Sequence, residues 1–126
     1  MILKRALLVF AFFTVSVIAL LYGVSPEWFY ATFLVDSQPP GVDQSHILRA
    51  VMTLYMTLGL FWLGSAFSDK YRDAGVLVLC LFCGGLVAGR ILSVVVDGTP
   101  SPVLVVYIAM ELSLVPVCLW LLRRGD

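Results

Sequence analysis

Two charges of opposite sign lie inside apolar segments of this sequence, where they could bind a ligand or join two helices. The stretch Gly84–Pro100 reads GGLVAGRILSVVVDGTP and carries Arg90 in its body and Asp97 near its end. Glu111 lies in a later apolar segment, within MELSLV. An unpaired ion at the middle of a membrane helix costs roughly 2.5–3.5 kcal/mol on insertion scales. We therefore expect the Arg90 guanidinium to pair with the Glu111 carboxylate.

Neighbouring polar residues share helical faces with this predicted pair. Arg90, Ser93 and Asp97 are spaced three and four residues apart, so they lie on one face of a helix. Tyr107 precedes Glu111 by four residues, a spacing that would allow its phenol hydroxyl to support the carboxylate. The spacing therefore predicts two polar faces that meet.

A third polar stripe consists of His46, Arg49 and Thr53. We expect Arg49 to pair with Asp97 or Glu111, which would bring the three stripes together. Two arginines beside one deep carboxylate would leave local positive charge, which favours a ligand that bears a carboxylate or phosphate. The predicted ligand-binding residues are His46, Arg49, Arg90, Ser93, Asp97, Tyr107 and Glu111.

The same charges also have a purely structural interpretation. Arg90 and Glu111 would then form a salt bridge that only fixes helix packing, and Arg49 would extend to the lipid headgroups. The protein would in that case be a structural or accessory membrane subunit whose function depends on a protein partner.

The composition requires that these residues be positioned by membrane helices. The chain has 126 residues, 61% of them hydrophobic and 13% charged, with a mean hydropathy of +1.02. A soluble domain of this size cannot bury so much apolar surface. Four apolar segments (6–24, 47–67, 74–96 and 103–122) each have about the 20 residues that a membrane-spanning helix needs. The sequence predicts an all-α integral membrane four-helix bundle, up-down-up-down, as one domain over residues 1–126.

Charge asymmetry predicts the orientation of this bundle. The first apolar segment follows Lys4 and Arg5 but lacks a small-residue cleavage site, so we interpret it as a retained span rather than a signal peptide. Six of the eight basic residues lie at the termini or in the middle loop, and the other two loops carry acids without Lys or Arg. The positive-inside rule then places both termini in the cytoplasm. Arg90 and Glu111 would lie ~10–12 Å below the outer surface.

The segment after the first span predicts a short helix at the outer membrane interface. Ser25 suits an N-cap, Pro26 suits the first helical position, and Glu27 suits the first turn. An aromatic cluster follows, and Pro39 and Pro40 end the segment. A surface for docking a partner is the alternative interpretation.

Other chemically suggestive residues do not form a recognisable catalytic or metal-binding motif. Cys80 and Cys83 form a CxxC, but an apolar helix disfavours the thiolate that redox chemistry needs, and Cys118 lies in another such helix. His46 is the single histidine, so we expect no metal site, and nothing indicates a cofactor or nucleic-acid binding. We expect a protein that is not an enzyme. A membrane thiol redox enzyme is the weakest alternative.

Gly85 and Gly89 have the GxxxG spacing that allows a close-packed neighbouring helix. Four helices scarcely enclose a wide pathway alone, so transport would require a homo-oligomer. Membrane lipid is the other expected partner.

The strings RAVMTLYMTLG, GRILSVVVDGTP and MELSLV resemble the bacterial domain-of-unknown-function family 4345. The resemblance covers roughly residues 47–122, and GR…S…DG…P is its most specific part. It implies a small bacterial inner-membrane protein with four helices, whose polar residues stand at Arg49, Arg90, Ser93, Asp97, Gly98 and Glu111. It implies no activity. From the residues themselves we expect a membrane protein whose outer-leaflet polar pocket binds or passes a small anionic or amphiphilic molecule.

Overall fold

The computed structural model describes residues 2–34 and 38–124, and over these ranges the chain folds into helices without strands. The helices are α1 (Ile2–Gly23), α2 (Pro26–Phe33), α3 (Val42–Ala66), α4 (Arg72–Asp97) and α5 (Pro102–Arg124). All but α2 are long and apolar enough to cross a membrane. The predicted all-α class and its four long apolar helices are confirmed, as is a short helix after the first of them.

The predicted start of α2 is also confirmed. The Ser25 hydroxyl accepts a hydrogen bond from the Trp28 backbone N–H at 3.4 Å, Pro26 opens the helix, and Glu27 lies in its first turn. Each of these features satisfies or complements the free N–H groups at a helix start. The helix ends before Asp36, which lies outside the described residues.

Helix α3 begins five residues before the predicted boundary, at Val42 rather than 47. The Gly41 N–H donates to the Gln44 side chain at 2.9 Å, which stabilises this additional turn. Helix α4 ends at Asp97, one residue beyond the predicted span, and Gly98 adopts a φ of 101°. That conformation is open to glycine because it has no Cβ.

The long helices pack as two antiparallel pairs, α1 with α3 and α4 with α5. The first pair approaches closely at Gly59, where a Cβ would lie 3.0 Å from a methyl carbon of Val15. Helix α4 approaches α3 closely at Gly75, where a Cβ would overlap the Ser65 hydroxyl. By contrast, a Cβ at Gly85 or Gly89 would meet no atom within 4 Å, so no close-packed neighbour of these two glycines occurs in the part of the chain that the structure describes.

Basic side chains stabilise the end of the bundle at which α1 starts, which we call the basic end. The fully buried Lys4 Nζ lies 2.6 Å from Asp73 at the start of α4. Arg5 Nε and Arg72 Nε each donate to the Ala66 carbonyl at 3.2 Å. Cations are favourable at this position because the free carbonyls at the end of α3 carry partial negative charge. The opposite end, which carries α2 and the 98–101 connection, is called the far end below.

Candidate functional site

Arg90 of α4 and Glu111 of α5 form a two-point ion pair inside the bundle. Arg90 Nε donates to Glu111 Oε2 at 2.8 Å, and Nη2 donates to Oε1 at 3.2 Å. The side chains are 20% and 10% exposed. Two parallel hydrogen bonds match the planar guanidinium to the planar carboxylate and fix both side chains. The structure therefore contains the predicted ion pair between Arg90 and Glu111.

The helical repeat explains why both residues point inward. In α4 the buried residues Val76, Leu79, Cys83 and Val87 recur every three or four positions, and Arg90 continues this stripe. In α5 the buried residues Tyr107, Glu111, Cys118 and Leu121 are spaced four, seven and three positions apart, which also keeps them on one face. Since residues at this spacing share a helical face, the pair lies where the two buried faces meet.

Three tyrosines from three helices surround the ion pair. The Tyr107 ring of α5 lies 5.8 Å from the Arg90 guanidinium carbon, within cation–π range. Tyr22 of α1 belongs to the same aromatic cluster, since its ring centroid lies 6.0 Å from that of Tyr107 and 6.3 Å from that of Tyr55. All three tyrosines are less than a tenth exposed. The predicted hydrogen bond from the Tyr107 hydroxyl to Glu111 is absent among the described residues, because its ring packs on the guanidinium instead.

Tyr22 and Tyr55 were not identified by the sequence reasoning. Their helices present many apolar residues to lipid as well as to the core, so hydropathy does not reveal which face turns inward. A usable signal was present: Tyr55, Gly59, Trp62 and Ala66 recur at helical spacing as the buried stripe of α3.

A partly open cavity of about 40 Å³ lies beside the ion pair and is lined by residues of all four long helices. Arg90 and Glu111 are its charged wall residues, and most of its remaining wall is apolar, including Trp62 and Cys83. A water molecule needs roughly 10–15 Å³ of such space, so the cavity has room for a small polar group.

Trp62 supplies an unsatisfied hydrogen-bond donor at the wall of this cavity. The side chain is fully buried, and its indole Nε1–H has no acceptor among the described residues. Arg90 likewise has N–H groups to spare, since Glu111 accepts from Nε and Nη2 and a guanidinium carries five hydrogens. Buried donors without acceptors are rare, and they favour an oxygen-bearing occupant.

The cavity adjoins a groove that faces away from the bundle between α1 and α5. This lateral groove, of about 410 Å³, is lined by Phe10, Phe13, Val17 and Leu21 of α1 and by Tyr107 of α5, together with three residues that also line the cavity. The shared residues are Thr14, Ile18 and Met110. A smaller crevice between α4 and α5 reaches Arg90 from the far end.

Arg49 does not join this site, and the predicted pairing with Asp97 or Glu111 is wrong for the described residues. The buried stripe of α3 passes through Tyr55 and Gly59, so Arg49 lies on another face of the helix and is exposed. Together with His46 and Thr53 it lines a groove at the far end, across from Glu27. Among the described residues, Glu111 is therefore paired with Arg90 and has no second arginine beside it.

Ser93 and Asp97 are also separate from the ion pair. The Ser93 hydroxyl donates to Asp97 Oδ2 at 2.7 Å, and both residues are exposed near the end of α4. Ser93 still lines the crevice that leads to Arg90. The predicted polar face of α4 is present, but its outer two residues, Ser93 and Asp97, hydrogen-bond to each other rather than to Arg90 or Glu111.

The cysteines are all free thiols within the bundle. Cys83 and Cys118 are buried and Cys80 is partly buried. No cluster of metal-ligating side chains occurs within residues 2–34 and 38–124.

Comparison with known proteins identifies one related group. The family model described as "Domain of unknown function (DUF4345)" matches residues 3–122, almost the entire chain. No curated protein and no solved structure matches significantly.

Proposed function

Since the chain belongs to the DUF4345 family, whose function is unknown, we propose its role from the site itself. The protein is a non-enzymatic membrane protein that binds an amphiphilic molecule with a small oxygen-bearing head and a single apolar tail. The head occupies the interior cavity beside Arg90, and the tail lies in the lateral groove between α1 and α5.

The observation that carries this proposal is the combination of spare donors with an apolar approach. Arg90 and Trp62 both line the cavity, the Trp62 indole N–H has no acceptor among the described residues, and Arg90 carries more N–H groups than Glu111 accepts from. An oxygen of a carboxyl or carbonyl head would satisfy either donor. Because Glu111 already neutralises Arg90, the site suits a weakly charged or neutral head at least as well as a strong anion.

The sizes of the cavity and the lateral groove match the two parts of the proposed ligand, a small head and a long tail. The cavity of about 40 Å³ is too small for a long chain, whereas the groove of about 410 Å³ is apolar and open along α1. Thr14, Ile18 and Met110 line both spaces, so a ligand that enters sideways from lipid passes between them. Its tail would never leave an apolar environment, which keeps the cost of entry low.

The charge distribution supplies the orientation. Basic residues concentrate at the basic end, so the positive-inside rule supports an orientation with this end and both termini in the cytoplasm; the membrane we propose is a bacterial inner membrane. Arg90 lies seven residues before Asp97, ~10 Å along α4, which puts the site in the outer leaflet.

Oleic acid binding to the purified protein in detergent tests the proposal. Replacing both ions, Arg90→Met with Glu111→Met, removes the spare donors of Arg90 without leaving a buried charge. We expect binding to fall roughly tenfold or more, the loss of about one charge-assisted hydrogen bond. Asp97→Asn, which changes an exposed acid outside the cavity, should leave binding unchanged. Equal binding by the double variant and the parent would refute the proposal.

The structural alternative retains one specific observation in its favour, the two-point geometry that joins α4 to α5. A salt bridge that only fixes packing predicts no saturable oleic acid binding by the parent protein. It also predicts that Thr14→Trp, which adds a bulky ring where the groove meets the cavity, leaves oleic acid binding unchanged.

A further inference from the structure

A second site lies at the far end of the bundle, separate from the ion pair. This far-end groove, of about 710 Å³, runs between the start of α2 and the first turns of α3. Its charged lining residues are Glu27 and Arg49. Ser45, His46 and Thr53 are its other polar lining residues. It shares no lining residue with the interior cavity.

The two charges that line this groove have no ion-pair partner in residues 2–34 and 38–124. Glu27 and Arg49 are both exposed, and neither forms an ion pair or a side-chain hydrogen bond within the described residues. Opposite charges that line one groove without pairing leave a cation site and an anion site at separate places. A ligand that carries both charges complements this arrangement better than a simple anion does.

The length of α3 places the groove among lipid headgroups. Its 25 residues extend ~37 Å, which exceeds a hydrocarbon layer of ~30 Å. The polar residues Asp43, Gln44, Ser45 and His46 all lie in its first turns, so this end extends out of the hydrocarbon layer. The headgroups of phospholipids lie at this level.

We propose that the far-end groove binds the headgroup of a phospholipid that carries a phosphate and a primary ammonium group. Arg49 binds the phosphate through its guanidinium, which matches phosphate oxygens at two points. Glu27 accepts hydrogen bonds from the ammonium group. None of the described lining residues is a Trp, Tyr or Phe, whereas recognition of a quaternary ammonium relies on the faces of such rings. The groove therefore prefers ethanolamine to choline headgroups.

Lipid retention measures this preference directly. The intact protein is reconstituted in vesicles of equal parts dioleoyl phosphatidylethanolamine, phosphatidylcholine and phosphatidylglycerol, then extracted, and its bound lipids are counted by native mass spectrometry. We expect phosphatidylethanolamine to be enriched roughly tenfold over phosphatidylcholine, as one charge-assisted hydrogen bond allows. Glu27→Gln should abolish this enrichment, and Arg49→Gln should lower retention of all three lipids.

Asp43→Asn is the matched control, since Asp43 is an exposed acid in the first turn of α3 that does not line the groove. Bound lipid of the same composition as the vesicles would overturn the proposal, as would an equal effect of Asp43→Asn and Glu27→Gln. Complete displacement of the lipid by soluble glycerophosphoethanolamine would also contradict it, because a free headgroup would then be the ligand.

Discussion

Arg90 Nε and Glu111 Oε2 lie 2.8 Å apart and connect the buried faces of α4 and α5. Each residue makes the other acceptable in an apolar interior, because an ion that loses its partner there remains desolvated without compensation. Both carboxylate oxygens of Glu111 accept a hydrogen bond from Arg90. Arg90 donates only two of its five N–H hydrogens to Glu111. This asymmetry is the reason for assigning a ligand to the arginine.

Removing one member of the pair should cost more stability than removing both. Arg90→Met leaves Glu111 buried without its partner, and we expect a loss of about 3–5 kcal/mol in the free energy of unfolding. The double replacement by methionine should lie within about 1 kcal/mol of the parent. Unfolding in mixed detergent measures all four proteins of this cycle. Simple addition of the two single effects would contradict the direct coupling.

Asp73→Asn should destabilise the basic end. Lys4 is fully buried and loses its ion pair with Asp73, for which we expect a cost of about 1–3 kcal/mol in thermal unfolding. Asp69→Asn is the matched control: its side chain is 86% exposed, against 69% for Asp73, and its partner Arg72 keeps a hydrogen bond to the Ala66 carbonyl, so the cost should stay below about 1 kcal/mol. Equal effects would show that Lys4 does not depend on Asp73.

Alanine at two glycines of α4 should act in opposite directions. A Cβ at Gly75 would overlap the Ser65 hydroxyl, so Gly75→Ala should lose about 1–3 kcal/mol of stability. A Cβ at Gly85 meets no atom, and Gly85→Ala should be neutral or gain up to about 1 kcal/mol from helix propensity. Thermal unfolding of the monomer separates them. If Gly85→Ala were the more harmful change, the result would contradict the open space that surrounds Gly85.

The thiols should resist modification in the folded protein. Cys83 and Cys118 are 2% and 0% exposed, so a maleimide reagent should label them only after unfolding in sodium dodecyl sulfate. Mass spectrometry of peptides identifies which thiol reacts. Rapid labelling of both in mild detergent would revive the thiol redox interpretation.

The sequence predicted the helices and the Arg90–Glu111 pair because both follow from lengths along the chain. Hydropathy gives each span, and counting residues from Asp97 and Val103 gives similar depths for the two charges. Arg49 illustrates what such counting misses. Its depth is compatible with pairing, but the rotation of α3 is set by the packing of Tyr55 and Gly59 against other helices.

Lys4 and Arg72 show the same limit at the basic end. From the sequence, these two residues were expected only to set the orientation of the bundle through the positive-inside rule. In the structure both are buried, Lys4 against Asp73 and Arg72 against the end of α3. Their burial depends on how α1, α3 and α4 converge, which no local pattern encodes.

Fluorescence quenching of Trp62 tests the central claim most directly. Trp28 and Trp120 are about half exposed, so replacing both with phenylalanine leaves the buried Trp62 as the sole tryptophan, at the wall of the cavity. Stearic acid with a nitroxide near its carboxyl should quench this residue saturably, and the same acid labelled near its methyl end should quench it much less. The Arg90→Met, Glu111→Met double replacement should abolish the difference. Equal quenching by both labels, or none by either, would contradict a ligand head held beside Arg90.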